Sequence, residues 1–226
     1  MKALVVGAGG LGCPAAWSLA SGGAAMTIVD DDRVEVGNLH RQILHRTEDV
    51  GRPKAESARE ALLRRWPGLK IVSVVARVGA DNAAELVLDH DVVLDCTDSF
   101  ASKFLLNDVC VAAGVPLVHG AVVGLSGQVL TVMPGAACYR CLFEAPPPPE
   151  AVAGCAQAGV LGPLCGVVGV TMAEEAQATL AGRPRLTGAL EVIAVGGTRL
   201  VRLRPRADCA ACGRAGFGSE QERRGA

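Results

Sequence analysis

Residues 2–12 read KALVVGAGGLG, an apolar run of strand length that ends in the pattern GxGxxG. A helical pattern follows at 11–21, so the glycines lie between a predicted strand and a predicted helix. Glycines placed in this way let the chain turn tightly and let a phosphate approach the backbone beside the free N–H groups of the helix N-terminus. A tight turn required only for packing is the alternative. The glycines of the predicted nucleotide-binding turn are Gly7, Gly9, Gly10 and Gly12.

Strand-length apolar runs alternate with longer helical patterns through the first half of the chain, which is typical of a parallel sheet built from βαβ units. The predicted strands are 2–6, 26–30, 69–76, 91–96 and 115–119, and the predicted helices are 11–21, 53–66, 83–88 and 100–113. Antiparallel strands are predicted at 128–133, 189–195 and 198–204, the last two joined at Gly196 and Gly197. The fold class is therefore α/β: a Rossmann-like, mostly parallel sheet with helices on both faces and an antiparallel C-terminal extension.

Composition argues against several classes of protein. The 226 residues carry 22 basic and 23 acidic side chains, so the net charge of −1 gives no global attraction for nucleic acid or for an anionic membrane. The nine cysteines are odd in number and unevenly spaced, unlike a secreted disulfide framework, so we expect a cytoplasmic protein. The apolar stretch at 158–173 is too short to span a bilayer, and a buried or subunit-interface helix is predicted there.

Charged residues follow the predicted strands at the sheet edge that carries the glycine turn. Asp30 ends the second strand, where its carboxylate can hydrogen-bond a ribose hydroxyl. Arg41 and Lys54 follow at the same edge, where two cations suit a triphosphate; solvated surface charge is the alternative. Asp98, just beyond the strand at 91–96, can hold Mg²⁺ against phosphates or cap the next helix. The glycines and Asp30 alone would also suit a nicotinamide or flavin dehydrogenase.

Two CxxC pairs, at 138–141 and 209–212, predict a metal site. Each pair offers two thiolates with the spacing that a tetrahedral Zn²⁺ ion needs, and a closed four-thiolate site is structural. Redox-active dithiols are the alternative, but neither pair is predicted to open a helix after a strand as a thioredoxin motif would. The predicted zinc ligands are Cys138, Cys141, Cys209 and Cys212.

The other five cysteines divide by context. Cys155 follows a proline-rich segment at 145–156 that predicts an extended, exposed loop, so its thiol is a candidate reactive group. The remaining four lie in apolar or helical surroundings and are predicted to be small core residues: Cys13, Cys96, Cys110 and Cys165.

Together these motifs resemble those of the ThiF/MoeB/HesA family, the bacterial relatives of ubiquitin-activating enzymes. The motifs are GAGGLG, NLHRQ, VGRPK, LDCTDS, GQV, CYRC, AGVLGPLCGVVG and CAAC, in this order along residues 3–213. The resemblance implies a single ThiF-type adenylation domain at 1–213, with a nucleotide-binding half at about 1–120 and a carrier-binding and zinc half at about 121–213. Residues 214–226 are predicted to be a disordered tail.

Members that resemble this sequence use ATP to adenylate the C-terminal glycine of a small ubiquitin-like sulfur carrier ending in Gly-Gly, and they release pyrophosphate. The resemblance implies that Asp30 binds ribose and that Asp98 handles Mg²⁺. It also implies that Cys155 matches a position that, in some members, forms a thioester or persulfide with the carrier, and that a separate sulfur-donor protein is a further partner. The residues implied to approach or contact the nucleotide are Gly9, Gly10, Asn38, Arg41 and Lys54.

Several points stay open at the level of sequence. The carrier could serve thiamin, molybdopterin or another sulfur-transfer pathway. Many relatives carry an N-terminal RYxRQ-type segment whose arginine reaches the neighbouring subunit's nucleotide, whereas this sequence begins at the first strand. A non-catalytic, nucleotide-binding member is therefore an alternative, and a tRNA-modifying dehydratase is another. The helix predicted around 160–173 indicates a homodimer.

Overall fold

The computed structural model describes residues 2–148 and 159–213. Within these ranges one mixed sheet has eight strands in the order β3-β2-β1-β4-β5-β6-β7-β8. The strands are β1 (Lys2–Val6), β2 (Ala25–Val29), β3 (Ile71–Val74), β4 (Val92–Asp95), β5 (Leu117–Val123), β6 (Ser126–Val132), β7 (Ala189–Ala194) and β8 (Gly197–Arg202).

The first five strands are parallel, and the last three continue the same sheet in antiparallel pairing. The mostly parallel α/β fold class predicted from the sequence is confirmed. The helices are α1 (Gly12–Ser21), α2 (Lys54–Arg65), α3 (Ala83–Leu88), α4 (Phe100–Ala113), α5 (Tyr139–Leu142) and α6 (Gly162–Leu180).

Helices cover both faces of the sheet, and each face has its own apolar core. One core contains Leu19, Leu62 and Met172 from α1, α2 and α6; the other contains Phe104 and Tyr139 from α4 and α5. Burial on both faces explains why the parallel strands are continuously apolar rather than alternating. The four cysteines predicted as core residues are all buried.

Helix α6 packs tightly on α1. A Cβ atom at Gly169 would lie 2.5 Å from the Leu11 carbonyl oxygen and 2.6 Å from Pro14, so only glycine permits this approach. The helix predicted at 158–173 is therefore present, but it begins at Gly162 and continues to Leu180. The glycine at 169 is explained by a contact within the chain, without a second subunit.

The structure corrects several predicted element boundaries. The hairpin of β5 and β6 reaches Val123 and Ser126, beyond the predicted ends, because the two strands pair along their whole length. The turn between β7 and β8 is formed by Val195 and Gly196, and Gly197 is the first residue of β8. Strand β5 runs without interruption across residue 120, so the division into two halves near that residue stays a prediction.

Two further findings concern the ends and loops. Among the described residues, no helix is both long and apolar enough to cross a bilayer. The predicted tail at 214–226 and most of the predicted proline-rich loop lie outside the described residues.

Candidate functional site

The glycine turn follows β1 at the carboxyl edge of the parallel strands. From β1 the chain passes through α1 to β2 on one side, whereas β4 pairs with β1 on the other side. The strand order therefore reverses between β1 and β4. In open α/β sheets the crevice at such a point is where ligands bind.

The four glycines of the turn have different reasons to be glycine. Gly7 has a φ of +99°, and a Cβ there would lie 2.8 Å from the Cys96 carbonyl oxygen; a Cβ at Gly12 would lie 1.8 Å from the Gly7 oxygen. Packing alone requires glycine at these two positions. At Gly9 the nearest atom to such a Cβ is Gln42 Nε2, at 3.8 Å. The protein's own packing does not require glycine there, and the open space suits the close approach of a ligand.

Backbone donors and one cation face this space. Within residues 2–148 and 159–213, the N–H groups of Gly9 and Gly10 have no hydrogen-bond partner, and they precede the N-terminus of α1. Such free N–H groups at a helix N-terminus favour a bound anion. The Arg41 side chain runs beside Gly10, with its Cγ and Cδ 3.3 Å from the position of a Gly10 Cβ. Its guanidinium has no carboxylate partner in the part of the chain that the structure describes.

Asp30 and Lys54 connect to the turn through hydrogen bonds. Asp30 accepts the N–H of Ala8 at 2.6 Å and that of Asp32 at 2.8 Å. Burial raises the pKa of Asp30 above its usual value, although these two N–H donors oppose the rise. The buried Lys54 Nζ forms an ion pair with Asp32 Oδ2 at 2.7 Å. Asp32 was not singled out from the sequence, where the run of three acids indicated only an acidic strand end.

Asn38 and Gln42 shape the loop that carries Arg41. The Asn38 carbonyl accepts the N–H groups of Arg41 and Gln42 at 3.2 and 3.1 Å, and its side-chain amide donates to Glu35 at 3.3 Å. Gln42 is buried, and its Oε1 has no partner among the residues that the structure describes. Gln42 was quoted in a motif but not predicted as a site residue. A buried amide oxygen without a partner, beside Gly9, is a group that a bound ligand could satisfy.

Asp98 lies on the loop that follows β4 at the same sheet edge, and it is exposed. The prediction that it caps the next helix is wrong, because Ser99 is the N-cap of α4 and accepts the Ser102 N–H at 3.1 Å. The Asp98 carboxylate has no hydrogen bond to the other described residues. It is therefore available to a cation, but no contact connects it to Arg41 or Lys54.

A buried charged network holds the start of this loop. Asp95 accepts Thr97 Oγ1 at 2.7 Å and His119 Nδ1 at 2.8 Å, and Lys103 Nζ lies 3.4 Å from its carboxylate. Burial opposes ionisation of Asp95, but Lys103 and His119 outweigh it and hold its pKa far below the usual range. This network was missed from the sequence, because only the pairing of β4 with β5 places His119 opposite Asp95.

The four CxxC cysteines are brought together, as predicted. Their sulfur atoms all lie within 4.8 Å of one another, with 3.6 Å between Cys138 and Cys209 and 3.3 Å between Cys141 and Cys212. Four thiolates around a tetrahedral Zn²⁺ are about 3.8 Å apart, given Zn–S bonds near 2.3 Å. Burial raises the pKa of Cys138 to about 11 and raises that of Cys212 as well, whereas the N–H groups of Cys212 and Ala211 outweigh burial at Cys209 and lower its pKa to about 7. The donor set and its spacing fit a zinc ion.

One argument against the redox alternative was wrong. Cys138 follows β6 in the chain and precedes the one-turn helix α5, so the first pair does open a short helix. That helix is tied to α4, where Tyr139 N–H donates to Asn107 at 2.8 Å and Arg140 forms an ion pair with Asp108 at 2.7 Å. The convergence of both CxxC pairs is what favours a metal over a redox dithiol.

Cys155, the predicted reactive thiol, lies outside the described residues.

The sheet order and the glycine turn define an α/β protein of the Rossmann type. A family model described as the ThiF family matches residues 1–212. The chain belongs to the ThiF family.

Several curated proteins are similar over most of the chain. The SAMP-activating enzyme E1 of Haloferax volcanii is 43% identical over 98% of this chain and 83% of its own length. The sulfur carrier protein adenylyltransferase of Thermus thermophilus is 46% identical over 79% of this chain and 69% of its own. The adenylyltransferase and sulfurtransferase MOCS3 of Drosophila grimshawi is 44% identical over 92% of this chain. This chain spans 48% of that relative.

Among solved structures, "Crystal structure of E. coli MccB + ATP" matches with a TM-score of 0.82. It covers 93% of this chain and 66% of the MccB chain, at 20% sequence identity. At this identity the similarity concerns the fold, and it agrees with the sheet described above.

Proposed function

We propose that this protein uses ATP to adenylate the C-terminal glycine of a small ubiquitin-like sulfur carrier ending in Gly-Gly, with release of pyrophosphate. The observation that carries the proposal is the grouping, at one sheet edge, of the Gly9 and Gly10 N–H groups, which have no partner among the described residues, with the Arg41 guanidinium, which contacts His40 at 3.4 Å but no carboxylate there. The names of the relatives, which include a sulfur carrier protein adenylyltransferase, support the same activity.

In the proposed reaction a carrier carboxylate oxygen attacks the α-phosphorus of ATP. A P–O bond forms to the carboxylate, the bond to the β-phosphate oxygen breaks, and pyrophosphate leaves with its electron pair. The carboxylate is already ionised at neutral pH, so the protein needs no general base. Its work is to position the two substrates and to stabilise the charge on the phosphates, for which Arg41, Lys54 and the turn N–H groups are the available donors.

Asp30 and Asn38 have supporting roles in this proposal. The Asp30 carboxylate already accepts two backbone N–H groups, and its remaining lone pairs leave room for a ribose hydroxyl. Asn38 fixes the turn that carries Arg41, and its side chain would have to leave Glu35 to contact a phosphate. Asp98 is the exposed carboxylate proposed to hold Mg²⁺ against the phosphates. Zn²⁺ would be held by the four cysteines described above and would have a structural role.

The test of this function is ATP–pyrophosphate exchange in the presence of a carrier protein that ends in Gly-Gly. Label from pyrophosphate should enter ATP only when the carrier is present, and a carrier lacking its last glycine should give no exchange. ATP binding without carrier-dependent exchange would instead indicate a non-catalytic family member. Comparison of carriers from the thiamin and molybdopterin pathways would identify the pathway served.

We also propose a homodimer through α6. Val167 and Val170 of α6 are 51% and 38% exposed, although they lie on a helix whose other face is buried. Two adjacent exposed valines suit a self-complementary interface. We expect Val167→Glu to convert the dimer to a monomer in analytical ultracentrifugation, because each interface would then contain two buried carboxylates. The matched control is Val72→Glu on edge strand β3, where the valine is 54% exposed.

A dimer that survives Val167→Glu unchanged would contradict the use of this helix face. Loss of the dimer in both variants would instead point to a general effect of the introduced charge.

Cys155 is proposed to attack the acyl-adenylate of the carrier, forming a thioester and releasing AMP. We expect Cys155→Ala to leave pyrophosphate exchange within about twofold of wild type, because exchange requires only the adenylation step. The same variant should lose any thiol-sensitive covalent adduct with the carrier, measured by intact mass. Cys110→Ala, at a buried cysteine, is the control. A persistent adduct in Cys155→Ala would exclude Cys155 as the linking residue.

A further inference from the structure

A buried histidine lies directly beneath the glycine turn. His45 Nε2 lies 3.0 Å from the Ala8 carbonyl oxygen, and its Nδ1 lies 2.9 Å from Ser57 Oγ. His45 is 6% exposed and Ser57 is 1% exposed. The Cys13 thiol also donates to the Ala8 oxygen, at 3.2 Å. None of the roles given above to site residues uses His45 or Ser57.

Hydrogen bonds therefore hold both the N–H and the carbonyl of Ala8. Asp30 accepts the Ala8 N–H, while His45 and Cys13 donate to the Ala8 carbonyl. Burial raises the pKa of Cys13 to about 12, so the thiol keeps the proton that it donates. Burial also lowers the pKa of His45, so the ring is neutral at neutral pH. The Ala8 carbonyl oxygen can only accept, so this contact requires the ring proton on Nε2. The Ser57 hydroxyl lies against Nδ1 and also hydrogen-bonds the Asp49 carboxylate.

Holding the Ala8 carbonyl also fixes the orientation of the peptide group that joins Ala8 to Gly9. The Ala8 carbonyl and the Gly9 N–H belong to one planar trans peptide and therefore point in opposite directions. Holding the carbonyl toward the buried His45 turns the Gly9 N–H away from the core. That N–H has no partner among the described residues, and it faces the space left open at Gly9.

We infer that His45 is a positioning residue, which orients the Gly9 N–H toward the nucleotide phosphate by holding the Ala8 carbonyl. This inference rests on the proposed nucleotide site. Ser57 supports it by holding the Nδ1 side of the ring from α2, the helix that also carries Lys54 in its first turn. The glycine turn and α2 are in this way connected by one hydrogen-bonded chain.

Two isosteric substitutions separate the two ends of the ring. The amide of Gln reaches the position of Nε2, whereas the amide of Asn reaches the position of Nδ1. His45→Gln therefore keeps the donor to Ala8, and His45→Asn loses it while keeping the contact with Ser57. The Kd of a non-hydrolysable ATP analogue with Mg²⁺ is measured by calorimetry on the full chain, together with the Tm of each variant.

The chain offers a closely matched control. His90 is 7% exposed, and its ring also contacts a backbone carbonyl and a hydroxyl, but with the nitrogens exchanged: Nδ1 lies 2.6 Å from the Leu86 carbonyl and Nε2 lies 2.7 Å from the Thr27 hydroxyl. Burial lowers its pKa as well. His90 lies just before the amino end of β4, away from the glycine turn. His90→Asn keeps the Nδ1 contact with Leu86 and loses the Nε2 contact with Thr27, so it reports the loss of a buried histidine Nε2 bond without any effect on Ala8.

We expect His45→Asn to raise the Kd about tenfold and His45→Gln to stay within about threefold of wild type. His90→Asn should lower the Tm by a similar amount to His45→Asn while leaving the Kd within about twofold. Equal Kd values for the Asn variants at 45 and 90, or equally weak binding by His45→Gln and His45→Asn, would overturn the inference.

Two further outcomes are distinguishable. If His45→Asn does not fold, Ser57→Ala keeps the ring but removes the hydroxyl that holds its Nδ1 side. We expect a Kd raised about threefold, and an unchanged Kd would contradict the inference. Failure of the wild-type chain to bind the ATP analogue would overturn the proposed function itself, whereas wild-type binding with insensitive His45 variants would overturn only the positioning role.

Discussion

Arg41→Ala should lower carrier-dependent pyrophosphate exchange by about 10²- to 10³-fold, the loss typical when one donor to a developing negative charge is removed. The Arg41 side chain lies beside Gly10, and its guanidinium has no carboxylate partner in the described part of the chain. Its charge is thus free to interact with a phosphate. The effect should appear in kcat/KM, measured at saturating carrier with ATP varied.

Arg46→Ala is the matched control for this prediction. Arg46 lies five residues further along the same segment, where its side chain is 61% exposed and pairs with Glu48 at 3.3 Å. Removing it changes the net charge by the same amount without altering the glycine turn, so exchange should stay within about twofold. Equal loss of activity in both variants would assign the effect of Arg41 to net charge. Activity unchanged in Arg41→Ala would remove Arg41 from the proposed site.

Lys54→Ala is a less direct test of the same site. Lys54 is buried and paired with Asp32, so its removal disturbs both the packing of α2 and the loop beyond β2. A loss of activity in that variant would combine a structural effect with a chemical one. The Arg41→Ala variant tests the chemical effect by itself, because Arg41 forms no ion pair within the described residues.

Removal of zinc should produce the second large effect. Purified protein should contain about one Zn²⁺ per chain, and Cys209→Ser should lose it, with a fall in Tm of roughly 10 °C or more. The reason is that the metal closes residues 209–212 onto α5, and through Arg140 and Asp108 onto α4. Without it, no bond joins the two CxxC pairs, so the C-terminal segment should be released.

Cys110→Ala controls for the loss of a buried thiol. Cys110 lies in the same apolar core as Cys138 and Cys209, but it is not part of the four-cysteine cluster. We expect this variant to keep its zinc, as measured by elemental analysis. Metal-free wild-type protein with an unchanged Tm would exclude a structural zinc site.

The fold could be predicted largely from local sequence patterns. The predicted element boundaries that were wrong have identifiable structural causes. The strand β1, the glycine turn and α1 follow directly from an apolar run, a GxGxxG and a helical period. The ends of β5 and β6 were missed because their last residues are ordered by pairing with each other across the hairpin. The N-cap of α4 was assigned to Asp98 instead of Ser99, since both residue types cap helices and only the backbone conformation distinguishes them.

The site could be predicted in part. Asp30, Arg41 and the four CxxC cysteines were selected because residue type and spacing indicate their chemistry, and the structure places Asp30 and Arg41 at the glycine turn and brings the cysteines together. Gln42 and Asp32 were not selected, although Gln42 belongs to the quoted NLHRQ motif, because nothing local indicates which side chain turns inward. The pairing of Lys54 with Asp32 also decides how far Lys54 is free to contact a phosphate, and the sequence does not show it.

By itself, the sequence determined the class of fold, the glycine turn and the thiolate set, because each is encoded by residue type at short, regular spacing. The tertiary structure alone decided which distant residues meet: His45 beneath Ala8, His119 against Asp95, and one CxxC pair against the other. The physical reason is that strand order and helix packing, rather than separation along the chain, determine which buried polar groups satisfy one another.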